Sequence, residues 1–273
     1  MAFAQHSTQV MPQIKKSWQS KRQGTRLRRV VHRRLIQLLF LLALFPCWAQ
    51  QKLTLASTDY PPYFAKALPE EGTLAALARA AFKAAGYDIT LVFLPWSRLM
   101  FDLEHGKHDG VVAVWYKAER ESFLALSDPV IDTHIGFYGR SDARIDVSNL
   151  DGLKGRLIGT VRGYANPPNF YAAALRTEDV TNDISNLRKL DKGRIDLALV
   201  DKALARQLIK QEWPAGNGSL VWIDPPVQSM PLFIGISRSN ADYRKILNDF
   251  NRGLADIRRN GEYTRILNRL PLG

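Results

Sequence analysis

The residues of this chain best suited to chemistry sit just past an apolar run. Val111-Val-Ala-Val114 is followed at once by Trp115 and then by Arg120. A guanidinium is planar, permanently charged, and can meet a carboxylate with two parallel hydrogen bonds. The indole beside it offers a flat apolar plate. An unbroken apolar run reads as a parallel-type strand buried on both faces, and ligand crevices of open α/β sheets lie beyond the carboxyl ends of such strands. The pattern points to a cleft for a small molecule. Arg120 also fits a solvated charge cluster with Glu119 and Glu121, so both readings stand at this point.

Other candidates share the arrangement of strand first, polar residue after. Asp201 ends Leu197-Ala-Leu-Val200, where it suits the N-cap of a following helix. Arg162 and Tyr164 lie in the glycine turn Val161-Arg-Gly-Tyr164, after an apolar strand over 156–161. Tyr60 opens Tyr60-Pro-Pro-Tyr63, a loop stiffened because each proline fixes its own φ and restrains its neighbour. Trp96 starts a short helix flanked by Leu99, Phe101 and Leu103 and closed by Gly106. Catalytic and metal readings fare poorly. His105 and His108 straddle that glycine with no carboxylate at metal-ligand spacing. No Gly-x-Ser-x-Gly, Cys–His pair or P-loop occurs. We expect no catalytic residue, no metal and no cofactor.

The elements that must position these residues alternate. Leu53–Ser57 reads as a strand and Thr73–Ala85 as a helix, with Leu74, Leu77, Ala78, Ala81 and Phe82 on one side and Gly86 after it. Strands follow at 89–94, 111–114, 131–138, 156–161, 195–200 and 232–237. Helical stretches fall at 170–176, 186–190, 202–211, 242–260 and 263–270, with stiff loops at 214–219 and Asp224-Pro-Pro. This alternation predicts an α/β fold of the doubly wound kind.

The amino end reads differently. Residues 1–34 carry nine Lys or Arg and no acid, then Leu35–Phe45 is apolar but for Gln37, ending in Pro46-Cys47-Trp48-Ala49. A basic segment, a short apolar run and small residues before Gln50 describe a secretory signal peptide over residues 1–49. The apolar run is shorter than the roughly 20 residues that span a bilayer; retention as an anchor is the competing reading. The whole chain has 38 basic and 26 acidic residues; without those nine, 29 face 26, a net charge of +3. The basic balance therefore reflects targeting, and nucleic acid is not an expected partner. Removal of the segment also removes Cys47, the single cysteine.

Four stretches carry a family likeness. They are Asp59-Tyr-Pro-Pro-Tyr63; Pro95 to Pro129, with its Gly106-Lys-His-Asp-Gly110, Glu119-Arg120 and Ser127-Asp-Pro129; Ile158-Gly-Thr-Val-Arg-Gly163; and Gly193-Arg-Ile-Asp-Leu-Ala-Leu-Val-Asp201. In this order the chain resembles the bacterial extracellular solute-binding proteins of family 3, related to the polar amino-acid binders. The resemblance implies a type II periplasmic-binding-protein fold: two α/β lobes, each a mostly parallel sheet flanked by helices, around a ligand cleft. It implies crossings near 133–134 and 228–229, giving lobe one as residues 51–133 plus 229–273 and lobe two as 134–228. Arg120 would bind a ligand carboxylate and Asp201 an ammonium. Tyr60 and Trp96 would stack on the ligand, or else serve as core aromatics, and Trp115 would wall the cleft. Arg162 and Tyr164 fall where the amino-acid binders carry small hydroxyls, so this wall is remodelled. The implied protein is a monomeric periplasmic binder of an amino acid or related carboxylate, serving the membrane permease of an ABC transporter. A ligand-sensing module for a signalling receptor is the alternative. A small lyase or dehydratase on the same fold is a third reading, and we expect no enzyme.

Overall fold

The computed structural model describes residues 51–272 apart from Asn217. The expected signal peptide, residues 1–49, lies outside the described residues. Nine strands are described: β1 (Gln51–Ser57), β2 (Tyr87–Phe93), β3 (Gly110–Val114), β4 (Leu124–Leu126), β5 (Ile131–Arg140), β6 (Ile158–Val161), β7 (Thr177–Val180), β8 (Leu197–Asp201) and β9 (Leu220–Ser237). The helices are α1 (Thr73–Ala84), α2 (Trp96–Glu104), α3 (Pro168–Ala172), α4 (Asp183–Asp191), α5 (Lys202–Glu212), α6 (Tyr243–Arg259) and α7 (Glu262–Arg269).

The strands follow the order β2-β1-β3-β9-β5-β8-β6-β7, with β4 added beside β9. Two parallel trios anchor the ends. β1 pairs in parallel with both β2 and β3, and β6 does so with β7 and β8. Between them β9 runs antiparallel to β3, and β5 runs antiparallel to β8 and β9. The β5–β9 ladder sets Thr133 opposite Met230 and His134 opposite Ser229.

The helices follow from their apolar faces. α1 buries Leu74, Ala75, Leu77, Ala78, Ala81 and Phe82, and α6 buries Ile246, Phe250, Leu254 and Ile257. Phe82 and Phe250 meet with ring centroids 4.7 Å apart. Each such side chain taken out of water contributes about 1.5–3 kcal/mol. Gly253 permits this close approach, since a Cβ there would lie 2.1 Å from the Ala81 carbonyl oxygen.

Three expectations change. The Asp224-Pro-Pro segment is a part of the long strand β9, not a loop. The prolines fit because the ladder jumps from Ile135↔Gln228 to Phe137↔Ile223, leaving 224–227 in an irregularity that needs no amide donor. Phe101 is 48% exposed on α2, whose buried residues are Leu99, Asp102 and Leu103. Residues 170–176 are not one helix: α3 ends at Ala172 and β7 begins at Thr177.

Candidate functional site

The carboxyl ends of β1, β3, β6 and β8 converge, and each is followed by polar or aromatic residues. Past β3, the chain bulges. Ala113 takes a left-handed φ of 70°, and the β3–β9 register shifts between Val112 and Val114. A non-glycine residue in that region costs on the order of 1–3 kcal/mol and is retained where the surroundings enforce it. The bulge turns Trp115 inward, where its indole N–H donates to the Thr133 hydroxyl at 3.0 Å. A single 3-10 turn, Ala118–Ser122, then brings Arg120 back beneath the same strand end.

Arg120 is 4% exposed, which rules out the solvated reading. Its Nη1 donates to the Trp115 carbonyl at 2.6 Å and its Nη2 to the Gly163 carbonyl at 2.9 Å. Its guanidinium lies 5.2 Å from the Trp96 ring centroid. No carboxylate pairs with it among the described ion pairs; Lys117 takes Glu119 at 3.6 Å. Burial pushes its pKa down to about 10, partly offset by nearby Glu119. Two of a guanidinium's five N–H donors are thus spent on carbonyls, and the rest remain.

Asp201 faces the cleft from β8. It is 1% exposed, and all its close partners are neutral donors. Its Oδ1 accepts from the Leu204 amide at 2.8 Å, capping α5, and its Oδ2 accepts from the Tyr63 hydroxyl at 3.1 Å and the His134 amide at 3.2 Å. Burial pushes its pKa up to about 6 despite these donors.

Aromatic rings fill the space between. Tyr164 meets Tyr60 at 6.4 Å, Trp96 at 5.6 Å and Trp115 at 5.5 Å between centroids, all edge-on. Gly163, at φ 77°, makes the turn that delivers Tyr164, and its carbonyl also accepts from Trp96 Nε1 at 3.4 Å. A chamber of about 20 Å³ remains on the Trp96 side and one of about 10 Å³ on the Asp201 side. A larger opening of about 800 Å³ adjoins them, reaching Asp59, Trp96, Tyr164, Asp183 and Leu208.

Tyr60, Trp96, Trp115, Arg120, Tyr164 and Asp201 therefore come together. Arg162 stands outside the aromatic box: it is exposed, and with Trp96, Lys117, Glu119 and Arg120 it lines an opening of about 350 Å³. Asp183 was missed by the sequence reading. It begins α4, is buried, and its Oδ2 accepts from the Tyr164 hydroxyl at 3.0 Å. Among the described residues no group of three or more His, Cys, Asp or Glu could hold a metal ion, and no helix is long and apolar enough to cross a membrane.

The family model for bacterial extracellular solute-binding proteins, family 3, matches residues 53–270, and the chain belongs to that family. No curated protein matches the chain. Among solved structures it is similar to a mutant of ArgBP from T. maritima, with 19% sequence identity over 81% of this chain and 96% of that one, TM-score 0.67. It is similar to the GluR0 ligand-binding core from Nostoc punctiforme in complex with (L)-glutamate, at 19% identity over 81% and 100%, TM-score 0.66. It is also similar to a histidine kinase sensor domain with similarity to periplasmic binding proteins, at 20% identity over 81% and 97%, TM-score 0.68. These likenesses show the fold, the type II periplasmic-binding-protein architecture of two α/β lobes.

Proposed function

We propose that this protein captures a small solute carrying both a carboxylate and an ammonium, an amino acid or close relative, in the cleft between its lobes. One observation carries the reading. Arg120 is buried without an acid and Asp201 is buried without a cation, at two ends of one aromatic box. Buried charges are costly unless paired, and a zwitterion of matching length supplies both missing partners at once. Tyr60, Trp96, Trp115 and Tyr164 then grip its apolar part, each ring contact worth on the order of 1 kcal/mol.

The lobes are 51–133 plus 229–273 and 134–228, joined at the two adjacent strands β5 and β9, where Thr133 faces Met230. Such a double crossing acts as a hinge around ligand. The chain works in the periplasm as a monomer after loss of residues 1–49, and delivers its solute to the membrane permease of an ABC transporter. It is a binder and not an enzyme. A sensory role is the second reading, favoured by the likeness to a histidine kinase sensor domain; neighbouring permease or kinase genes separate the two.

A thermal-shift screen of amino acids and organic acids finds the solute, because a ligand that binds only the native state raises its melting temperature. Calorimetry then tests Arg120. Arg120→Ala should weaken binding by roughly tenfold to a hundredfold, from about 1.5–3 kcal/mol for a hydrogen bond to a charged group. Arg120→Lys should recover only part, since an ammonium lacks the fork. Binding by Arg120→Ala within about twofold of the parent, far below that expectation, would place the carboxylate elsewhere.

A further inference from the structure

The acid end of the cleft holds two carboxylates. Asp183 and Asp201 come from different elements, α4 and β8, yet line the same small chamber with Tyr60, Trp115 and Tyr164. The donors to both acids are neutral: the Tyr164 hydroxyl for Asp183, and the Tyr63 hydroxyl with the His134 and Leu204 amides for Asp201. Tyr60 is 5% exposed, and its hydroxyl is sealed from solvent without a hydrogen-bond partner. It feels the charge of both acids, as a hydroxyl facing the same chamber must. A buried hydroxyl is seldom left unpaired without a reason. The chamber's volume of about 10 Å³ is close to the room one water-sized group needs.

We propose that Asp183, Asp201 and the Tyr60 hydroxyl form a three-acceptor cage for one primary ammonium group of the solute. This rests on the reading of the cleft given above and adds Asp183 to it. A primary ammonium has three N–H donors, and three oxygens of this chain face one chamber of its size. An N-methylated amine has one donor fewer and one methyl too many.

The cage couples binding to a proton. Burial, and secondarily the charge of Asp201, pushes the Asp183 carboxyl up to about 7, while burial pushes Asp201 up to about 6. The empty pair therefore holds about one proton near neutral pH. The entering ammonium favours both carboxylates ionised, so that proton leaves to solvent. Binding should strengthen as pH rises through 6 to 7. The other groups facing the pair are the Tyr60, Tyr63 and Tyr164 hydroxyls, whose pKa values burial raises further above their ordinary range. The charge of Arg206 reaches Tyr63, and Asp59 and Lys66 border the adjoining opening.

The test uses the purified full chain and four probes: L-arginine, L-glutamate, L-leucine and the diamine 1,5-diaminopentane, each of the amino acids paired with its Nα-methyl derivative. For whichever amino acid binds, methylation should cost about tenfold or more. Titration at pH 6.5 in phosphate and in Bis-Tris, a tertiary amine that the cage does not fit, should give different heats, revealing released protons. Tyr60→Phe and Asp183→Asn should each narrow the methylation gap, and Asp183→Asn should abolish most of the proton release. Equal affinity for parent and methylated probe, buffer-independent heats, or a gap unmoved by Asp183→Asn would overturn the cage. Binding of the diamine with all three amino acids silent would keep the cage and overturn the Arg120 carboxylate reading. Silence of all four at about 10 mM, a concentration that detects even millimolar affinities, would overturn both.

Discussion

Asp102 on α2 and Asp249 on α6 are buried, as are Asp183 and Asp201 in the cleft, yet the chain treats the two pairs in opposite ways. Asp102 accepts from Arg98 Nε at 2.8 Å and Lys107 Nζ at 2.9 Å. Asp249 accepts from the Tyr87 hydroxyl at 2.6 Å, from Lys245 Nζ at 2.7 Å, and from Arg252. The hydrogen bonds from Arg98 and Lys107 hold the Asp102 carboxyl below its ordinary pKa. Burial alone would raise Asp249, but its bonds from Lys245 and Tyr87 win and lower it. The cleft acids have neutral donors only, and both are raised. An acid that serves the fold thus receives its counter-charge locally, from its own helix or the turn that follows it. The two cleft acids have no such counter-charge among their hydrogen-bond partners, and in the proposed reading it comes from the solute.

The comparison breaks most readily at Asp249. Asp249→Ala should cost about 1.5–3 kcal/mol, because it removes the hydrogen bonds that Lys245, Arg252 and the Tyr87 hydroxyl donate to a charged group. The lower end is favoured because Lys245 and Arg252 are largely solvent-exposed. For a domain of this size the melting temperature should fall by roughly 3–6 °C. Calorimetric melting within a degree of the parent would mean that helix pairing contributes nothing and the contrast is one of geometry alone.

Asp183→Asn should act with the opposite sign. A carboxyl whose folded pKa lies above its unfolded value near 4 makes the native state bind more protons than the unfolded chain. Its contribution is favourable below about pH 4, and is lost as pH rises through 4 to about 7. The asparagine keeps an oxygen for the Tyr164 hydroxyl and carries no charge to bury. The ligand-free variant should therefore be more stable than the parent at pH 8, and the gain should shrink steadily as pH falls toward 4. A lower melting temperature at pH 8 would show that the ionised form is already well served by a partner.

This division explains what the sequence could and could not reveal. The spacings Arg98-x-x-x-Asp102 and Lys245-x-x-x-Asp249-x-x-Arg252 are readable as helix pairs, because partner and acid are local. The amphipathic helices α1, α6 and α7 and the apolar strands β1, β3 and β8 are equally local signals, set by period and run length. The positions of Arg120, Asp201 and Tyr60, all buried, could be singled out because each follows a strand end in a recurring order of motifs. Asp183 was not, since an acid beside Asn182 at a helix start reads as an ordinary first-turn residue. Its burial arises from Tyr164 and Tyr60, which are brought to it by other elements. β7 was invisible for a related reason: Thr177-Glu-Asp is exposed, leaving only Val180 to show an inward face. Proline read as a loop signal at Asp224-Pro-Pro because ladder irregularity is a property of two strands, not of one.

The smallest effect gives the sharpest test of how Asp183 is held. Tyr164→Phe keeps the ring that packs on Tyr60, Trp96 and Trp115, and removes only the hydroxyl that donates to Asp183 at 3.0 Å. That hydrogen bond favours the ionised carboxylate and lowers its pKa against the larger effect of burial. Without it the carboxyl should titrate at still higher pH, so the variant pays for the lost donor chiefly where the parent is ionised. The expected loss is about 1 kcal/mol at pH 8, a melting shift of roughly 2–4 °C, and less than half of that at pH 4.5. Combined with Asp183→Asn, the same substitution should lose its pH dependence, because no titrating partner remains. An equal shift at both pH values in the single variant would show that the hydroxyl supports packing and not charge. Asp183 would then be a neutral acid throughout this range, and the contrast between the two pairs of aspartates would rest on Asp201 alone.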